Sequence, residues 1–150
     1  LIQAKRVRVF KSLLLRLKTL RLMNQPSSYK SRGGIKRVFN AFGYSIKGLR
    51  AALKHEAAFR QECALALILL PSAFWLGRDA VEVFLLCLTI LLVLVVELIN
   101  SALEALADAI SVEHHPLLGR AKDTGSAAVL LCLLLTGAWW GYVLLDRFIL

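Results

Sequence analysis

The residues with chemistry to offer lie in VVELINSALEALAD, residues 95–108. At about 100° per residue on a helix, Ser101, Glu104 and Asp108 fall within roughly 40° of Glu97, with Asn100 some 60° to one side. Five polar groups therefore share one stripe, and it closes a run, Val83–Val96, that carries no charge. Asn100 and Ser101 alone would read as hydrogen-bonding glue between helices. Each glutamate costs about 2.5–3.5 kcal/mol on insertion scales near the bilayer centre, so two of them point to function. The donor set is all oxygen, which suits a hard cation such as Mg²⁺ that keeps several waters and is shared with phosphates. A carboxylate base, metal-binding carboxylates and cations for phosphate oxygens are what phosphoryl transfer needs. Glu56 joins the acidic set, and Lys122 and Arg37 are the candidate cations. No GxxxxGKS/T, GxGxxG or HRD…DFG set occurs, so such a transferase must be built on membrane helices and not on a soluble kinase fold.

The elements that must position these groups follow from composition. A chain of 150 residues with 58% hydrophobic residues and mean hydropathy +0.65 is too apolar for a soluble domain. One all-α integral membrane domain is expected. Fifteen of nineteen Lys and Arg lie in residues 1–60, the other four being Arg78, Arg120, Lys122 and Arg147, and the first acidic residue is Glu56. Beside membrane spans this bias marks the cytoplasmic side and attraction to anionic lipid, with no nucleic acid as partner. Cys63, Cys87 and Cys132 sit in apolar runs without CxxC spacing, so neither a disulfide frame nor a zinc site is indicated.

Residues 1–33 form a basic N-terminal extension. Residues 1–22 lack the uncharged core of a signal peptide, and Met23, the only methionine, opens a polar, start-like stretch. Residues 1–22 are accordingly expected to be non-native or disordered, or else a basic surface helix. The domain proper is expected over 34–150. Ile35, Val38, Phe39, Phe42, Ile46, Leu49 and Leu53 mark one helical face, so an amphipathic helix over 34–55 should lie in the interface plane. Spans are expected at about 57–76, with a possible kink at Pro71, at 81–107 and at 124–145. The turn GRDAVE joins the first two and the polar loop SVEHHPLLGRAKD the last two. The basic N-terminus and the 109–123 loop are then cytoplasmic and the 77–82 turn lies outside. Trp75, Trp139, Trp140 and Tyr142 read as interfacial anchors, and adjacent His114 and His115 as surface groups. Three spans and one surface helix are too few to surround the stripe, which predicts a homo-oligomer.

Three stretches, AFGYSIKGLRAALKHEAAFRQE (41–62), VELINSALEALAD (96–108) and GRAKDTGSAAVL (119–130), in this order and with this span order, resemble the prokaryotic integral-membrane diacylglycerol kinases of Gram-negative type. The resemblance covers about residues 34–147 and implies a homotrimer of three-span protomers in the bacterial inner membrane. It implies transfer of the γ-phosphoryl group of MgATP to the primary hydroxyl of diacylglycerol, giving phosphatidic acid and ADP. By position in the motifs Glu97 is the general base, and Glu56 and Glu104 are the carboxylates joining metal to ATP. Arg37, Tyr44, Lys122, Asp123 and the loop Glu113, His114, His115 are nucleotide contacts, with His114 where tyrosine is common. Ala58, Phe59, Arg60, Gln61, Glu62 and Ser126 belong to the lipid-headgroup region, together with Arg37 and Glu97, while Asn100 and Asp108 support the site. Phe42 is bulkier than the family's usual small residue, and Ile46 stands for a tryptophan.

Three other readings remain open on the sequence, one of them a structural interaction protein, which would tolerate Glu97→Gln. An undecaprenol kinase is the nearest relative in chemistry, with AAFRQE favouring diacylglycerol. An ion-coupled small transporter would use an intramembrane glutamate, but its site should sit near the midplane, whereas Glu104 and Asp108 trail toward a basic loop.

Overall fold

The computed structural model of the chain describes residues 34–111, 113 and 115–149. The 1–33 extension and His114 lie outside them. Four helices account for nearly all of it: α1 (Gly34–His55), α2 (Ala57–Leu76), α3 (Ala80–Ile110) and α4 (Pro116–Phe148). The last three are long and apolar enough to cross a membrane. The fold is all-α, as composition and periodicity predict.

α1 ends on Lys54 and His55, basic residues of the kind that suit the negative end of a helix. A single extended residue, Glu56 (φ −100°, ψ 115°), then separates it from α2. Two groups bridge that break. Glu56 N–H donates to Ala52 O at 2.8 Å, and the Arg60 guanidinium donates to the carbonyls of Leu53 and Lys54 at 3.5 and 3.3 Å. Carbonyls at a helix C-terminus have no intrahelical partner, and Arg60 supplies one. α2 continues through Pro71 to Leu76, with Ser72 Oγ donating to Ile68 O at 2.8 Å.

The α2–α3 turn is closed by a local cap. Asp79 accepts from Glu82 N at 2.8 Å, and Glu82 accepts from Arg78 N at 2.6 Å. This is a close variant of the capping box, satisfying orphan amides at the start of α3. Arg78 also pairs with the Asp146 carboxylate at 2.5 Å and donates to Asp146 O at 2.9 Å. The turn and the C-terminal end of α4 are thereby tied together.

α3 is the central helix and packs on both α2 and α4. Its core at the turn end comprises Leu86 and Ile90 against Ala66, Ala73 and Leu76 of α2 and Trp140 and Val143 of α4. Ala66 and Ala73, two turns apart on one face, let α2 approach closely, as small residues do in lipid. Because lipid tails are as apolar as leucine, cohesion rests on packing and on interhelical hydrogen bonds. Two are present between α3 and α4: Trp140 Nε1 to Leu86 O at 3.3 Å and Thr136 Oγ1 to Thr89 O at 3.2 Å. α3 and α4 are about 46 and 50 Å long at 1.5 Å per residue, against a hydrocarbon core of about 30 Å. Counted from the turn end, about 20 residues of α3 reach the vicinity of Glu97, and Glu104 and Asp108 lie beyond. α4 likewise starts at Pro116, earlier than the expected span. GRAKD is helical because His115 caps the helix by accepting from Leu117 N at 3.3 Å, and Pro116 suits its first turn.

Candidate active site

Three of the five groups of the polar stripe are buried within one chain, while Glu104 is half-buried and Asp108 exposed. Glu97, Asn100 and Ser101 are 4%, 7% and 8% exposed. This corrects the expectation that a lone protomer leaves the stripe uncovered. The reason is that α4 passes close over it: Gly125 is buried and has Asn100 and Leu103 as its neighbours across the seam. A glycine at 125 was the available signal, since it lets two backbones approach where a side chain would not.

Glu97 interacts electrostatically with Glu104 and Glu56, and Glu62 with Glu97. Carboxylates from the start of α2 and the end of α3 thus converge. Asn100 donates from Nδ2 to Glu104 Oε1 at 3.1 Å and lies one turn from Glu97 on α3. Asn100 Oδ1, Ser101 Oγ and Glu62 Oε2 are buried without hydrogen-bond partners. No ion pair among the described residues neutralises Glu56, Glu62, Glu97 or Glu104. Like charges gathered away from water repel strongly and call for a cation.

Further along α3, Asp108 points to α4 and pairs with Lys122, Nζ to Oδ1 at 2.5 Å. An open cavity of about 300 Å³ lies there, lined by Asp108, Ser111, Glu113, His115, Gly119 and Lys122. Three of the expected nucleotide contacts, Glu113, His115 and Lys122, are thereby brought together with the supporting Asp108, along with Ser111, which the sequence did not single out. Asp123 and Ser126 are exposed on α4. Arg37 and Tyr44 are exposed on α1.

On the lipid side, Ala58, Arg60 and Gln61 are exposed, whereas Phe59 is 3% exposed and fills the protomer interior. Glu62 sits at a narrow, mostly apolar cavity of about 50 Å³ shared with Leu65, Leu69, Ile90, Leu133 and Thr136. The arrangement therefore has a buried carboxylate between an apolar groove and a polar cavity, the placement needed to join a membrane-bound hydroxyl to a water-soluble phosphoryl donor.

Among the described residues no cluster of three His, Cys, Asp or Glu forms a closed metal cage. Glu56 and Glu104 both offer oxygen donors, the chemistry that suits an ion of the Mg²⁺ kind held by one or two carboxylates and shared with phosphates.

A family model described as prokaryotic diacylglycerol kinase matches residues 43–144. The chain is 47% identical over 116 residues to a diacylglycerol kinase of Haemophilus influenzae, covering 77% of this chain and 98% of the relative. It is 48% identical over 115 residues to that of Escherichia coli K12, covering 77% and 94%. It is 47% identical over 121 residues to that of Pseudomonas aeruginosa, covering 81% and 98%. The match over residues 43–144 and these relatives, together with three helices long and apolar enough to cross a membrane, show that the chain belongs to the prokaryotic diacylglycerol kinase family.

Proposed function

We propose that the chain is a membrane diacylglycerol kinase that transfers the γ-phosphoryl group of MgATP to the primary hydroxyl of diacylglycerol, giving phosphatidic acid and ADP. The observation that carries this reading is the burial of Glu97 among Glu56, Glu62 and Glu104 with no neutralising ion pair among the described residues. Glu97 accepts the hydroxyl proton as the oxygen attacks phosphorus, the bond to the bridging oxygen of ADP breaks, and ADP leaves. Glu62, at the apolar groove, orients the glycerol headgroup. Asn100 sets the spacing of Glu97 and Glu104 through its amide. Lys122, presented by Asp108, meets phosphate oxygens from the polar cavity, with Glu113, His115 and Asp123 along the nucleotide and Arg37 and Tyr44 contributing from α1. Glu56 and Glu104 would hold Mg²⁺, which when bound offsets phosphate charge. Positioning two substrates across the interface supplies much of the rate.

The active unit is a homotrimer in the bacterial inner membrane with a cytoplasmic N-terminus. The Lys/Arg bias supports that orientation, and the family resemblance supports the trimer. The test is a radiolabelled phosphorylation assay on purified full-length protein in lipid bicelles, with MgATP and either dioleoylglycerol or undecaprenol. Labelled phosphatidic acid is expected, at a rate well above undecaprenyl phosphate. The reverse preference would reassign the lipid, and no label in either would refute the kinase reading.

A further inference from the structure

Eight glycines lie among the described residues, and six of them, Gly34, Gly43, Gly48, Gly119, Gly137 and Gly141, have nothing within 4 Å of an added Cβ. Gly77 belongs to the α2–α3 turn, against Val83. Gly125 is different: it is mid-helix and buried, and an added Cβ would overlap Asn100 Oδ1, with Asn100 Cγ at 3.4 Å and Leu103 Cδ1 at 3.6 Å. Glycine inside a helix is entropically unfavourable, so a packed one needs a spatial reason. Here the reason is the Asn100 amide.

We propose that Gly125 is a positioning residue for phosphoryl transfer, holding open the space in which Asn100 aligns Glu97 and Glu104. This rests on the kinase reading above. The Asn100 Nδ2 is committed to Glu104 Oε1 at 3.1 Å, while Oδ1 faces Gly125 without a hydrogen-bond partner. A methyl at 125 meets the far end of a side chain and not backbone. The amide yields before the helices do. Displacing Oδ1 swings Nδ2 away from Glu104, one turn further along α3, and frees that carboxylate to shift relative to Glu97. The fold survives and the carboxylate geometry does not.

The test compares wild type with Gly125→Ala, Asn100→Ala, the double variant and Gly137→Ala, measuring kcat and both KM values in bicelles together with thermal unfolding. Gly125→Ala is expected to lower kcat roughly 10- to 100-fold with lipid KM and unfolding nearly unchanged, the scale of a misplaced reacting group. Gly137→Ala should match wild type. Since Gly125 acts through Asn100, the double variant should be no slower than Asn100→Ala. Losses that multiply in the double variant, or full turnover in Gly125→Ala, overturn the proposal. A second readout is independent of catalysis: the side-chain amide ¹⁵N resonance of Asn100, identified by its loss in Asn100→Ala, should move in Gly125→Ala and stay put in Gly137→Ala. If wild type shows no lipid phosphorylation yet this resonance moves, the kinase reading fails while the Gly125–Asn100 coupling stands. An unmoved resonance overturns the coupling itself.

Discussion

Asp108 holds Lys122 across the α3–α4 seam, carboxylate Oδ1 to ammonium Nζ at 2.5 Å, at the edge of the polar cavity. The pair is exposed, and exposed ion pairs add little to stability. Its value lies in aiming a flexible lysine. Asp108→Asn is therefore expected to raise KM for MgATP several-fold while leaving thermal unfolding and lipid KM near wild type. Steady-state kinetics with each substrate varied in turn checks this, and an unchanged KM for MgATP would remove Asp108 from the nucleotide side. Lys122→Ala should lose more than Asp108→Asn, since it removes the charge itself.

Arg60 donates to Leu53 O and Lys54 O, so it braces the one-residue break that carries Glu56. Its planar fork can serve both carbonyls at once, which an ammonium does less well. Arg60→Ala should lower kcat roughly tenfold, with Arg60→Lys intermediate, and should raise the Mg²⁺ concentration needed for half-maximal rate, because Glu56 is mispositioned. A Mg²⁺ requirement equal to wild type in Arg60→Ala would contradict that role.

Metal dependence should map onto two residues. Chelation by EDTA is expected to abolish turnover reversibly. Glu56→Gln and Glu104→Gln should each shift the Mg²⁺ titration to higher concentration, and excess Mg²⁺ should restore part of the rate. Rate loss that no Mg²⁺ concentration relieves would argue for a role other than holding the ion.

Stability and activity should separate at the opposite end of the bundle. Thr136→Val removes the bond to Thr89 O, together with the one to Cys132 O, and keeps the side chain's shape, whereas Trp140→Phe removes the bond to Leu86 O and also opens a void in the core. Thr136→Val is expected to cost about 0.6 kcal/mol, and no more than about 1.7, as interhelical hydrogen bonds in membranes do, and Trp140→Phe more, because the cavity adds to the lost bond. Unfolding in mixed micelles measures this, with kcat unchanged.

Much of the architecture is legible because apolar runs and charge placement report directly on burial in lipid. The face from Ile35 to Leu53 forecasts α1, and Val83–Val96 forecasts the core of α3. The shared face of Glu97, Ser101 and Glu104 is readable because helical spacing is local. What spacing could not convey is which helix covers that face. Burial of the stripe depends on Gly125 of α4 meeting Asn100 of α3, a contact set by three-dimensional packing and not by periodicity. Phe59 shows the same limit: it sits inside AAFRQE, beside expected lipid contacts, yet faces the interior. The early start of α4 and the Asp79–Glu82 cap did carry local signals, Pro116 after His115 and an Asp three residues before a Glu.

The central claim is that Glu97 takes the proton from the lipid hydroxyl. Glu97→Gln keeps the size and hydrogen-bonding capacity of the side chain and removes the base. Measured in bicelles with MgATP and dioleoylglycerol, this variant should unfold like wild type, keep both KM values within a few-fold, and lose roughly 10²- to 10⁴-fold in kcat. Turnover within a few-fold of wild type would contradict the account.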